Sequence, residues 1–146
     1  MDIWRSSLRQ KEEAEKVRNR FPHCFACGKE NPIGLHLEFI PQDYYVEAAF
    51  SPSFFHQGYP NIVHGGIVTT LLDEAMAYVL EFNNYRGITA RLNVKFIKSL
   101  KPNEEYKVTG YLDKIRGKVI KAHSEIVDKE NRIMAKAYGI FVAEKI

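Results

Sequence analysis

Gly65 and Gly66 stand where a loop runs into the helical pattern GIVTTLLDEAMAYVLEF, residues 66–82. Two adjacent glycines let a ligand reach the backbone without meeting a side chain. The first N–H groups of a helix have no intrahelical acceptor, and the helix dipole is positive there. That suits a carbonyl oxygen that turns anionic during acyl transfer. The alternative is a glycine pair that only makes a sharp turn into the helix.

Asp73 and Glu74 lie farther along the same pattern, and periodicity separates them. Glu74 shares a stripe with Thr70, Tyr78 and Glu81, which reads as a solvent-tolerant face. Asp73 shares a more apolar one with Thr69, Met76, Ala77 and Leu80. A carboxylate there is costly unless paired, hydrogen-bonded or functional, so Asp73 is the candidate base. Eight residues from Gly65 to Asp73 span about 12 Å of helix. A base and an oxyanion site acting on one carbonyl must lie within a few ångströms of it. Two such helices, antiparallel about a two-fold axis, would bring Gly65 of one near Asp73 of the other. A working motif therefore requires a site shared between two copies.

Other residues compete for roles. Cys24 and Cys27 form a C-x2-C pair with His23 before it and His36 after it, but the usual second close-spaced pair of a structural zinc is missing. The expectation is two small semi-buried cysteines and no metal. Reactive-thiol chemistry lacks a local base. Arg91, Lys95, Lys98 and Lys101 cluster along one strand and its end; they could meet phosphates or form a solvated face, and Arg116 and Lys118 compete with them. Phe54, Phe55 and Tyr59 are the aromatics nearest the glycine pair, suited to an apolar pocket.

The elements that must position these groups can be read in order. Residues 3 to about 19, with Trp4, Leu8 and Val17 among many charges, form a weak amphipathic helix that ends at Phe21-Pro22. Residues 22–34 read as an irregular connection. Strand alternation covers 35–40 and 45–50, joined through Pro41-Gln42-Asp43. Residues 51–61 form a loop suited to closing over something. Helix 66–82 stops at Asn83, Asn84 and Gly87. Four strand patterns follow, 88–97, 106–113, 119–127 and 133–142. Their breaks at 101–103, 116–117 and 129–131 read as hairpin turns. The fold class is α+β, a single curved antiparallel sheet of about six strands wrapped around one central helix, with the N-terminal helix at 1–20 and the main domain at 21–146. Exposed strand edges predict self-association.

With 146 residues, 45% hydrophobic and 27% charged, the chain supports one core. Its charge of +3, from 21 basic and 18 acidic residues, falls short of a dedicated nucleic-acid binder. No run approaches a membrane span, and the charged start lacks a signal peptide's apolar stretch, so a cytoplasmic protein is expected, with no nucleic acid and no membrane as partner.

The string HGGIVTTLLDEA resembles the signature of hotdog-fold acyl-CoA thioesterases, and is similar to the phenylacetate-pathway (PaaI-like) branch. The lead-in CFACGKENPIGLHLEF and the later GITARLNVKFIKSLKPNEEYKVTGYL resemble that branch too, so the likeness covers about residues 21–144. It implies that the Gly65 N–H binds the thioester carbonyl, with His64 shaping the loop and Gly66 beside it. Asp73 matches the carboxylate that activates water or attacks the acyl carbon, and Thr89 falls where some relatives carry a water-orienting hydroxyl. Alternation, however, groups Thr89 with Arg91, Asn93 and Lys95. A second carbonyl donor would be Gln57 or Asn61, with Gln57 favoured; His56 would border the acyl group or shape the loop, Tyr59 would border the acyl group, and Arg91 the CoA. The implied activity is hydrolysis of an acyl-CoA thioester by a homodimer or homotetramer, with no cofactor, since CoA is part of the substrate. A non-catalytic acyl-CoA-binding domain and a hydroxyacyl-CoA dehydratase are the alternatives.

Overall fold

The amphipathic segment near the start forms helix α1, Ile3–Arg18. The computed structural model describes residues 3–146, with side chains from Leu8 on, so the Trp4 side chain lies outside the described residues. At the end of α1 the buried Arg18 donates through Nε to the Cys27 carbonyl at 2.8 Å and through Nη1 to Glu38 at 2.9 Å. These bonds fasten the helix to the lead-in that follows it.

Strands β1 (Ile40–Pro41), β2 (Tyr45–Phe50), β3 (Tyr85–Phe96), β4 (Tyr106–Arg116), β5 (Val119–Asp128) and β6 (Ile133–Lys145) form one antiparallel sheet of order β1-β2-β4-β5-β6-β3. Helix α2, Gly65–Phe82, packs against β2 to β6. The architecture is α+β and hotdog-like, with α2 as its central helix. Leu71, Leu72, Ala75 and Met76 of α2 are fully buried. Each leucine there contributes on the order of 1.5–3 kcal/mol. Gly110 of β4 permits the close approach, because a Cβ there would lie 2.3 Å from the Ala75 carbonyl oxygen.

Three local expectations need correction. Residues 35–40 alternate as expected, with Leu35, Leu37 and Phe39 buried, but only Ile40–Pro41 joins the sheet. Leu35 and Leu37 give their N–H groups to the carbonyls of Phe25 and Ala26, so the cysteine-containing lead-in takes the place of a neighbouring strand. Gly87 is no helix stop: Asn83 caps α2, Asn84 turns the chain at φ 64°, and Gly87 lies within β3. A Cβ at Gly87 would sit 2.8 Å from Leu80, which explains the glycine. The turn at 101–103 is no hairpin, because β3 pairs with β6 and the chain crosses over to reach β4. Gly117 at φ 58° and Asn131 at φ 64° do sit between paired strands, as hairpin residues must.

Candidate active site

His64 occupies the N-cap of α2, and its Nδ1 accepts the Gly66 N–H at 2.8 Å. Capping therefore consumes the second glycine's N–H, while that of Gly65 has no acceptor among the described residues. Thr69 and Thr70 bond back to the Gly65 and Gly66 carbonyls. The free donor thus stands at the positive end of the helix dipole. Beside it is a pocket of about 270 Å³ lined by Ile62, Val68 and Phe96, with Lys98 also in its wall. The Phe96 ring lies 3.7 Å from where a Gly65 Cβ would be. A polarised carbonyl with an apolar substituent fits this end of the helix.

The preceding loop is held by its own side chains. Gln57 donates from Nε2 to the Phe54 carbonyl and accepts the Asn61 N–H at Oε1. One Nε2 hydrogen remains free of these bonds. Asn61 sits in the left-handed region at φ 64°. His56 accepts the Ser53 N–H at Nδ1 and packs on Phe50, and burial pushes its pKa below the ordinary 6.5. Its carbonyl takes the His64 N–H, which fixes the approach to α2. Phe54, Phe55 and Tyr59 project outward, Phe55 being 90% exposed and Tyr59 81%. On a single chain they line no acyl pocket.

Two turns along α2, Asp73 accepts a hydrogen bond at Oδ1 from Thr89 Oγ1 at 2.7 Å. Its Oδ2 has no partner among the described residues. The Leu72 carbonyl just before it accepts from the buried Ser124 hydroxyl at 2.8 Å, which ties this part of the helix to β5. No sequence signal pointed to Ser124. The direction of Thr89 is settled by a β-bulge: Thr89 pairs with Phe141 and Arg91 with Ile140, leaving Ala90 unpaired. Tyr85, Gly87 and Thr89 face α2 before it, and Leu92 and Val94 after it. Arg91 and Lys95 point to the opposite, exposed side, away from Asp73.

Glu74 contradicts its expected place. Its stripe is covered rather than solvated, with Tyr78 and Glu81 both buried. The lead-in lies over that face, and Cys24 Sγ donates to Glu74 Oε1 at 3.4 Å. Burial pushes the Glu74 carboxyl up to about 8, and the nearby Cys24 adds to the shift. The hydrogen bond from Cys27 pulls Cys24 down to about 5 and raises Cys27 itself. Glu81 is paired with Arg20 and Arg86.

Gly65 and Asp73 remain about 12 Å apart along α2, so one chain brings each half of the site together but not the two halves. A larger hollow of about 340 Å³ beside Phe50 and Tyr106 includes only Asp128 and Glu105 as acids, and Asp128 is held by Arg132.

An uncharacterized protein of Schizosaccharomyces pombe is 32% identical over 119 residues, 73% of this chain and 67% of that protein. The solved thioesterase superfamily protein RHA08564 superposes with a TM-score of 0.79 at 24% identity over 83% of this chain; the chain spans 60% of that protein's length. A hypothetical thioesterase of Streptococcus pneumoniae, solved with coenzyme A, gives a TM-score of 0.70 at 19% identity over 75% of this chain and 89% of that one. The family described as Thioesterase superfamily matches residues 60–135, a span that holds Gly65, Asp73 and Thr89. With more than half of its length in that match, the chain belongs to the thioesterase superfamily.

Proposed function

We propose that the protein hydrolyses an acyl-CoA thioester to a carboxylic acid and CoA in a site shared between two copies, as a PaaI-like thioesterase. The observation that carries this reading is the division of labour along α2: an open Gly65 N–H at its start and, two turns on, an Asp73 held by Thr89. In the proposed reaction the thioester carbonyl accepts from Gly65 of one copy. Asp73 of the other takes a proton from the water that adds to the acyl carbon, or itself adds to that carbon to give an anhydride that water then cleaves, and the CoA thiolate departs. Thr89 fixes Oδ1, leaving Oδ2 free for the reaction, and the threonine oxygen can still accept from the attacking water. His64 acts by capping, which keeps the Gly65 N–H as the outward donor.

The sheet supports pairing. β3 is an open edge of twelve residues, and the edge at the other end, β1, has two. A long uncovered edge is a template for another strand. Two β3 edges meeting antiparallel would lay the two α2 helices antiparallel as well. Ile88, 79% exposed, pairs with Val142 on the outer sheet face, and Val142 with Val119, an apolar strip that suits a further dimer–dimer contact. Lys98, in the wall of the pocket beside Gly65, would then border the shared groove and meet CoA phosphates, while Arg91 and Lys95 stay on the outer sheet face.

The Streptococcus pneumoniae protein supports the same reading. It is also solved as variants in which one aspartate or one threonine, sixteen positions apart, is replaced by alanine. Asp73 and Thr89 share that spacing. The lead-in CFACGKENPIGL supports the PaaI-like assignment. Two unbridged cysteines suit the cytoplasm, where CoA thioesters are made and used. No described helix is long and apolar enough to cross a membrane. The test is free-thiol release from a panel of CoA thioesters: the parent should turn over at least one. Asp73→Asn should lose about 10²–10⁴ in kcat while CoA binding persists. Binding without turnover by the parent would make it a binding domain instead.

A further inference from the structure

The lead-in and α2 meet at a group of side chains the proposed hydrolysis does not use. Cys24, Cys27 and Glu74 present two sulfurs and a carboxylate oxygen within 4.8 Å of one another. Cys24 and Cys27 come from one tight turn closed by the Gly28 N–H on the Cys24 carbonyl at 2.8 Å. Gly28 is needed there, since a Cβ would lie 2.5 Å from the Pro22 carbonyl oxygen. Glu74 arrives from the central helix, nearly fifty residues later, so no spacing in the sequence announces it.

We propose that Cys24, Cys27 and Glu74 form a zinc-binding site that ties the segment after α1 to the central helix, its fourth position filled by water. Three observations support it. A tetrahedral zinc with Zn–S about 2.3 Å and Zn–O about 2.0 Å sets a sulfur and an oxygen ligand about 3.5 Å apart. The Cys24 Sγ to Glu74 Oε1 separation is 3.4 Å.

The second observation is the missing cation. Three acidic groups converge, yet no ion pair among the described residues involves Glu74. The nearby arginines are engaged elsewhere, Arg18 with Glu38, and Arg20 and Arg86 with Glu81. A divalent ion supplies the charge the cluster lacks. Thiolate ligands select zinc over magnesium or calcium.

The third is Tyr78. Its hydroxyl is buried beside Cys27, the residue only 2% exposed, and has no hydrogen-bond partner of good geometry among the described residues. An orphaned buried hydroxyl is costly. A zinc thiolate would accept its hydrogen, and a zinc-bound water would donate to its oxygen. A pocket of about 180 Å³ bounded by Cys24, Glu74 and Tyr78 provides room for that water and a way in. Binding releases to solvent the protons still held by the two sulfurs and Glu74, and no electron transfer is involved.

The experiment uses the full chain, stripped of metal and reduced, with two free thiols counted per chain. Titration with cobalt(II) should saturate at one ion per chain, with sulfur-to-cobalt charge-transfer absorption and the intense visible bands of tetrahedral cobalt, and zinc should displace both signals. Cys24→Ser should abolish the charge-transfer band while the far-ultraviolet circular dichroism stays that of the parent. Glu74→Gln should keep thiolate absorption but bind more than about tenfold more weakly, the least expected when even a supporting group is lost. Added zinc should raise the thermal midpoint of the parent and leave that of Cys24→Ser unmoved. A folded, reduced parent that shows no charge-transfer band overturns the proposal, as does Glu74→Gln binding cobalt as tightly as the parent.

Discussion

Thr89 reaches Asp73 across 2.7 Å because one unpaired residue, Ala90, changes which way β3 faces. Without the bulge, strand alternation would carry the inward set Tyr85, Gly87 and Thr89 on to Arg91, Asn93 and Lys95. With it, Leu92 and Val94 take the inner face and the charged residues stay outside. The bulge lets one strand hold a carboxylate's partner and an apolar inner surface together.

If Thr89 positions the carboxylate, its hydroxyl matters more than its shape. Thr89→Val should lower kcat by about 10–100-fold, since a hydrogen bond to a charged group contributes roughly 1.5–3 kcal/mol. Thr89→Ser should restore most of it, and KM should change little in either. Steady-state kinetics on the best thioester of the panel makes the comparison; equal kcat for Thr89→Val and the parent would remove Thr89 from the account.

Deletion of Asn93 should disturb β3 far more than deletion of the unpaired Ala90. Without Ala90 the ladder alternates evenly and still sets Thr89, Leu92 and Val94 inward, whereas without Asn93 it turns Val94 outward and Lys95 inward. The thermal midpoint of the Asn93 deletion should drop by more than about 5 °C, given 1.5–3 kcal/mol for each displaced apolar side chain. Deletion of Ala90 should lower it by less than half as much. Calorimetry on the pair reads both.

Acid should loosen the loop that leads into α2. Burial holds His56 neutral below its ordinary 6.5, and its Nδ1 accepts the Ser53 N–H. The unfolded chain takes up the proton near 6.5 and the folded one only at lower pH. The stability contributed is thus complete above 6.5 and is lost as pH falls through the lower, folded value. His56→Phe keeps a ring against Phe50 without the titration. Its thermal midpoint should decline less than the parent's between pH 6.5 and about 5. Parallel declines would rule this out.

The sequence made α2 legible because its apolar spacing and glycine pair are local signals. The four later strands were legible for the same reason, to within a few residues. What it hid depends on contacts distant in sequence. Residues 35–39 look like a strand, but pair with the lead-in rather than the sheet. Glu74, Tyr78 and Glu81 look solvated because three polar residues share a stripe; the lead-in that covers them comes from about fifty residues upstream. The direction of Thr89 could not follow from alternation, since a bulge is invisible to a period-two pattern.

The central claim is that Gly65 and Asp73 act together from different subunits. Gly65→Pro tests the donor cleanly: proline removes the N–H yet suits the first position of a helix. Gly65→Pro and Asp73→Asn should each be nearly inactive alone. When the two chains are unfolded together in equal amounts and refolded, half of the dimers are mixed, and each holds one intact site. Thiol release should then recover to about a quarter of the parent rate, as two-fold symmetry dictates. If each chain carries its own complete site, every site in the mixture is damaged and activity stays at the level of the separate variants, which would contradict the shared site.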